Sequence, residues 1–210
     1  FPPPGLPQAI HGNVILGLDK SVLSITVEET IDRLPEQHQA MLKPVYGDDI
    51  NLDLFYRDIL SIHELAHLYH FKEGTKPQRK WLQELFATMS MYSFVKEKSK
   101  NAYNLMNTYP EFVLNSGNRM AEHKTLKDFE EKYVQNLSPQ NYEWFQMQFY
   151  QHARSIIDSG DRHILERLHN FLINTDLDRT ARLSDEELSL RLKKEVSTSV
   201  SDILDTWMYR

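Results

Sequence analysis

The chain has 210 residues, a net charge of -6 and no cysteine. That balance, without a concentrated basic face, argues against nucleic acid as a partner. No apolar run reaches the about 18 residues of a membrane span, and without thiols neither disulfides nor thiolate metal ligation is available. With 40% hydrophobic and 26% charged residues, the expectation is a globular protein with one good core, or a core plus a small subdomain.

In chain order, "FPPPGLPQ" reads as an extended, proline-stiffened entry over residues 1–12. A start without methionine fits a mature end or a piece of a longer chain. Export to a secreted or periplasmic location is expected from it, with the cytoplasm left open. Residues 13–18 and 21–26 are rich in β-branched and apolar types and predict one or two short strands. Thr26 and Glu29 have capping-box spacing, predicting a helix from Val27 to Leu34 that stops at Pro35. "VYGDDINLD" is a loop in which Asn51 or Asp53 can cap the next helix.

From there the apolar period is helical, through Leu54, Ile59, Ile62, Ala66 and Tyr69. Gly74 ends that helix and Pro77 starts the next. Later breaks are expected at "TYPEFV", "NLSPQNY" and "DSGDR", and Ser184 with Glu187 opens another helix through a capping box. The basic stretch from Arg179 to Lys194 is interrupted by Asp185, Glu186 and Glu187, as a solvated helix face would be. The fold class expected is mainly α (α+β), with residues 13–210 as a single domain.

"SIHELAHLYHF" (61–71) carries three histidines and a glutamate in an otherwise apolar run. His63 and His67 stand one turn apart on one helix face, where two imidazoles can converge on a zinc ion. Glu64, about 100° round the helix, is offset from the ion and suits a general base for water. His70 lies about 4.5 Å beyond His67 along the axis, too far for all three rings to meet one ion.

A third ligand must come from elsewhere. With a turn after Phe71, His63 and His67 lie about 12 and 6 Å below it, and Glu84 descends about 10.5 Å from Pro77 on the returning helix. Glu84 is also a carboxylate inside "WLQELFATM", where an uncompensated charge is expensive. His63, His67 and Glu84 with one open position form a catalytic arrangement rather than a closed structural one. Thr88, one turn on, is a candidate to orient the Glu84 carboxylate.

"HELAH" followed by "WLQELFA" resembles the gluzincin aminopeptidases, whose catalytic domains have a thermolysin-like fold. The resemblance extends over about residues 54–210. "FYQHARSIIDSG" is similar to that family's tyrosine segment, with Gly160 at its glycine and His152 and Ala153 in place of lysine and glycine. Asp202 and Trp207 match the family's closing pattern. The resemblance implies one Zn2+ ion and peptide hydrolysis, with Glu64 as base and Tyr150 as donor to the oxyanion; Tyr142 or Tyr133 is the candidate if Tyr150 does not serve. The strand near Asn13–Leu18 would then pair with an extended peptide substrate. One departure stands out, since "IHGNVILGLD" lacks the glutamate of the family's G-x-M-E-N element, which binds a free amino terminus. A second reading stays open, a non-catalytic zinc domain that binds a protein or peptide in its groove.

Overall fold

The proline-led start does not run on as an extended arm, because Gln8–Ile10 (β1) pairs antiparallel with Asn13–Ile15 (β2), Ala9 opposite Val14. The protein is seen here in a computed structural model, which describes residues 5–70, 77–117, 121–133, 137–174 and 182–207. His11 and Gly12 join the two strands with φ of 48° and 75°, the doubly left-handed turn whose twist suits a tight hairpin. At the hairpin's foot the backbone closes tightly. A Cβ on Gly17 would lie 2.5 Å from the Gly5 Cα, so only glycine fits there.

The expected second strand over 21–26 is instead the first helix, α1 (Val22–Asp32), and the strand near 13–18 is confined to Asn13–Ile15. Ser21 rather than Thr26 is the cap, its side chain accepting from the Ser24 amide at 2.9 Å. Composition misled because the β-branched Val22 and Ile25 are exposed, where propensity is only a weak preference. Two short helices follow, α2 (Glu36–Gln39) and α3 (Lys43–Tyr46). Asn51 Oδ1 accepts from the Asp53 amide at 3.2 Å, and Asp53 precedes a π-helical turn (Leu54–Ile59) without making a side-chain cap.

That turn feeds directly into α4 (Leu60–His70), which carries the H-E-x-x-H motif. The break at Gly74 lies outside the described residues, as do Phe71 and the His70 side chain. α5 (Lys80–Lys98) begins three residues later than Pro77, after Arg79. Most of its side chains from Trp81 and Leu82 to Tyr92 and Val95 are buried, as befits a helix packed among others, with Phe94 exposed. α6 (Lys100–Gly117) runs straight through "TYPEFV" with Pro110 inside it. An interior proline costs about 3 kcal/mol, and the buried Met106, Tyr109 and Phe112 on either side offset it by packing.

The remaining helices are α7 (Leu126–Lys132), α8 (Pro139–Asp158), α9 (Ile164–Ile173), α10 (Asp185–Glu195) and α11 (Thr198–Thr206). The Ser184–Glu187 capping box is present as read, and Gly160 takes φ 87° just beyond α8. α5 packs against α4, α6, α7, α8 and α9, and the β1–β2 hairpin lies against α4. Two apolar clusters result. Trp81 to Met89 join α7–α11 around Phe129, Phe145 and Phe149, while Met91 to Val95 join α6 and the π-helical turn around Tyr109 and Phe55. Trp207 closes the first cluster, its indole N–H donating to the Lys124 carbonyl at 2.8 Å. The described residues are thus mainly helical with one small sheet. Among the described residues no helix is long and apolar enough to cross a membrane.

Candidate metal centre

α4 and α5 bring His63, His67 and Glu84 together, as their levels on a helical hairpin require. The rings of His63 and His67 project one turn apart from α4, their Nε2 atoms 3.0 Å from each other. Glu84 reaches across from α5, with Oε2 3.3 Å from His63 Nε2 and Oε1 3.8 Å from His67 Nε2. All three side chains are buried, and one ligand atom from each falls within 4.8 Å of the others. Two ligands bound at about 2.1 Å and the tetrahedral angle stand about 3.4 Å apart, so these spacings and this donor set fit a single divalent ion.

The side chains around the triad fix the orientation of its donors. The single hydroxyl proton of Thr88 goes to the Glu84 carbonyl at 2.8 Å, so at 3.3 Å from His63 Nδ1 the Thr88 oxygen acts as acceptor. That fixes the neutral tautomer of His63 with its proton on Nδ1 and its Nε2 lone pair toward the triad. Thr88 therefore orients His63, not the Glu84 carboxylate as its sequence position suggested. The carboxylate is held from α7 and α8. Tyr133 OH donates to Oε1 and Gln146 Nε2 to Oε2, both at 2.9 Å. Gln146 Nε2 also donates to Tyr142 OH at 2.8 Å.

Electrostatics follow from this packing. Burial works to raise the Glu84 pKa, but His67 and His63, with the Gln146 amide, pull it down to about 2. Burial works to lower His63, and the Glu84 and Glu64 carboxylates outweigh it, so His63 is raised above 6.5. Glu64 is raised above 4.5 by burial, opposed by His63, assisted by Glu84 and opposed again by the Ala9 amide. Glu64 thus sits beside the triad without joining it. Its Oε2 accepts from the Ala9 backbone N–H at 2.9 Å, on the edge of β1 that faces away from β2.

Tyr150 is not brought to the triad. Its buried hydroxyl donates to Asn107 Oδ1 at 2.7 Å on α6, and its ring meets Tyr92 edge-on at 5.8 Å. It belongs to the cluster around Tyr109, together with Met147, and the role expected for it falls away. The phenols that do approach are Tyr133 and Tyr142. The Tyr142 hydroxyl is raised by burial and by the charges of Glu84 and Glu64, which makes it the phenol that senses both carboxylates. These are the two alternatives to Tyr150 that the sequence offers, although nothing in the spacing of "KYVQNLSPQNYEWFQ" ranks them above core packing.

Comparison of the chain with protein-family models, with curated proteins and with solved structures finds no match.

Proposed function

We propose that the protein is a metal-dependent hydrolase of peptide bonds, a gluzincin-like peptidase with a thermolysin-like catalytic domain. The observation that carries the reading is the pairing of a buried His63–His67–Glu84 triad with a fourth group, Glu64, held next to it but outside it. A site meant only to bind structural metal has no use for such a carboxylate. His63, His67 and Glu84 would hold the ion, and zinc is the metal their nitrogen and oxygen donors suit. Such an ion, when bound, polarises a carbonyl and makes water acidic near neutral pH.

The chain's own groups then divide the work. Ala9 N–H fixes Glu64 through Oε2, which leaves Oε1 to take a proton from water and return it to the leaving amine. A carboxylate raised by burial suits that exchange better than an ordinary one. Tyr142 takes the part of neutral donor to a developing oxyanion, its oxygen already steadied by Gln146. The outward amide of β1 is spent on Glu64, so an extended peptide substrate would pair instead with β2 (Asn13–Ile15), what remains of the strand expected for it from the sequence.

One observation favours the second reading, a non-catalytic domain that binds a peptide. The Ala9 amide engages the base that catalysis needs. The experiment that separates the two compares the zinc-loaded protein with Glu64→Gln. Peptidase behaviour predicts equal metal in both and turnover only in the unsubstituted protein. Absence of turnover in both, with metal bound, would leave the binding domain.

A further inference from the structure

Resting on the metal reading above, we infer that Tyr133 and Gln146 are positioning residues that set how tightly the centre holds its ion. The two histidines need little help in finding each other, since one turn of α4 fixes their separation. Glu84 is different. It comes from another helix, and a carboxylate on a flexible side chain can turn away from the histidines unless something holds it.

Both of its oxygens are held. Tyr133 donates to Oε1 and Gln146 to Oε2, each at 2.9 Å, so rotating the carboxylate would break two hydrogen bonds in a buried site. Each oxygen keeps a second lone pair for an ion. The donors are fixed in turn. Gln146 Nε2 spends one proton on Glu84 and the other on Tyr142 OH at 2.8 Å, which settles the orientation of the amide. Tyr133 follows α7, whose start is locked by the Thr125–Asp128 capping box. Its ring meets Phe129 edge-on at 4.9 Å and lies under Lys80 Nζ at 5.1 Å. Glu84 is thereby presented in the orientation it needs as a ligand by two helices that supply no ligand themselves.

The test is metal affinity, read without any substrate. Metal-free protein, Tyr133→Phe and Gln146→Met are titrated with Zn2+ against a chromophoric chelator and with Co2+ by visible absorption. Tyr133→Phe removes one oxygen and keeps the ring. Each variant should bind Zn2+ about 10- to 100-fold more weakly, show a changed Co2+ absorption band, and keep its helical circular dichroism. Unchanged affinity beside an unsubstituted protein that binds tightly would overturn the inference alone. Loss of helicity in Tyr133→Phe would also overturn it, assigning that hydroxyl to the fold. Failure of the unsubstituted protein to bind either ion would remove the peptidase reading as well.

Discussion

Two buried glutamates each accept from tyrosine, and their pKa values move in opposite directions. Glu84, on α5, accepts from Tyr133 and Gln146 and faces two imidazoles, and its pKa falls to about 2. Glu143, on α8, accepts from Tyr56 and from Tyr109, the latter at 2.7 Å, with no imidazole partner among the described residues. Burial raises its pKa above 4.5, and the two phenols only reduce the rise. Neutral donors do not outweigh burial of a charge, whereas groups able to carry the opposite charge do. One carboxylate is therefore kept as an anion, ready for a metal. The other ties the π-helical turn to α6 and α8, and so steadies the entry to the helix bearing His63 and His67.

The sharpest way to break this comparison is to remove each charge in turn. Glu84→Gln should weaken Zn2+ binding by more than about 100-fold, beyond the loss from a group that merely supports a ligand. Glu143→Gln should leave it unchanged. Equal losses by equilibrium dialysis would mean that the two glutamates act alike. For turnover the contrast lies between phenols, since Tyr142→Phe should lower kcat about 100-fold if it donates to the oxyanion. Tyr150→Phe should leave kcat alone.

Protons sharpen the difference further. Glu84, depressed from 4.5 to about 2, contributes stability that is present above 4.5 and lost as pH falls through about 2. Glu143, raised above 4.5, contributes stability that is present below 4.5 and lost as pH rises through its folded pKa. Urea unfolding of the metal-free protein should therefore show Glu143→Gln gaining on the unsubstituted chain as pH rises from 4.5 toward neutrality. A parallel pair of curves would refute the assignment. Metal affinity runs the other way for His63, whose proton competes with the ion, so binding should weaken as pH drops below its raised pKa. The smallest effect expected is on stability in Tyr150→Phe, a loss of about 1 kcal/mol for its hydrogen bond to Asn107, read from the urea midpoint.

The part of the site visible in the sequence is the part that helical geometry alone determines. His63 and His67 are separated by one turn, and Glu84 stands at their level on a returning helix, although α5 begins at Lys80 rather than Pro77. The groups that complete the site come from contacts between distant segments, and no local pattern announces them. Tyr133 and Gln146 reach Glu84 across 49 and 62 residues, and Ala9 reaches Glu64 across 55. Tyr150 has the sequence context of a site residue, but it lies one turn beyond Gln146 on α8 and its hydroxyl is spent on Asn107. In the fold, capping chemistry was legible at Ser184 and Glu187, while Pro110 and the β-branched start of α1 misled because packing and a serine cap prevailed over intrinsic preference. β1 was hidden by the prolines ahead of it.

The most direct test of the central claim is hydrolysis of a mixed peptide set, free and acetylated at the amino terminus, by the zinc-loaded protein. Glu64→Gln, loaded to the same metal content, gives the background. The account predicts cleavage that falls by about 10²- to 10⁴-fold in that variant, the range for a general acid–base group. Cleavage confined to free peptides would point to a group standing in for the missing amino-terminus-binding glutamate, and cleavage of both sets to endopeptidase action. Intact peptides throughout, with one ion bound per chain, would contradict the account and leave a domain that binds peptides without cutting them.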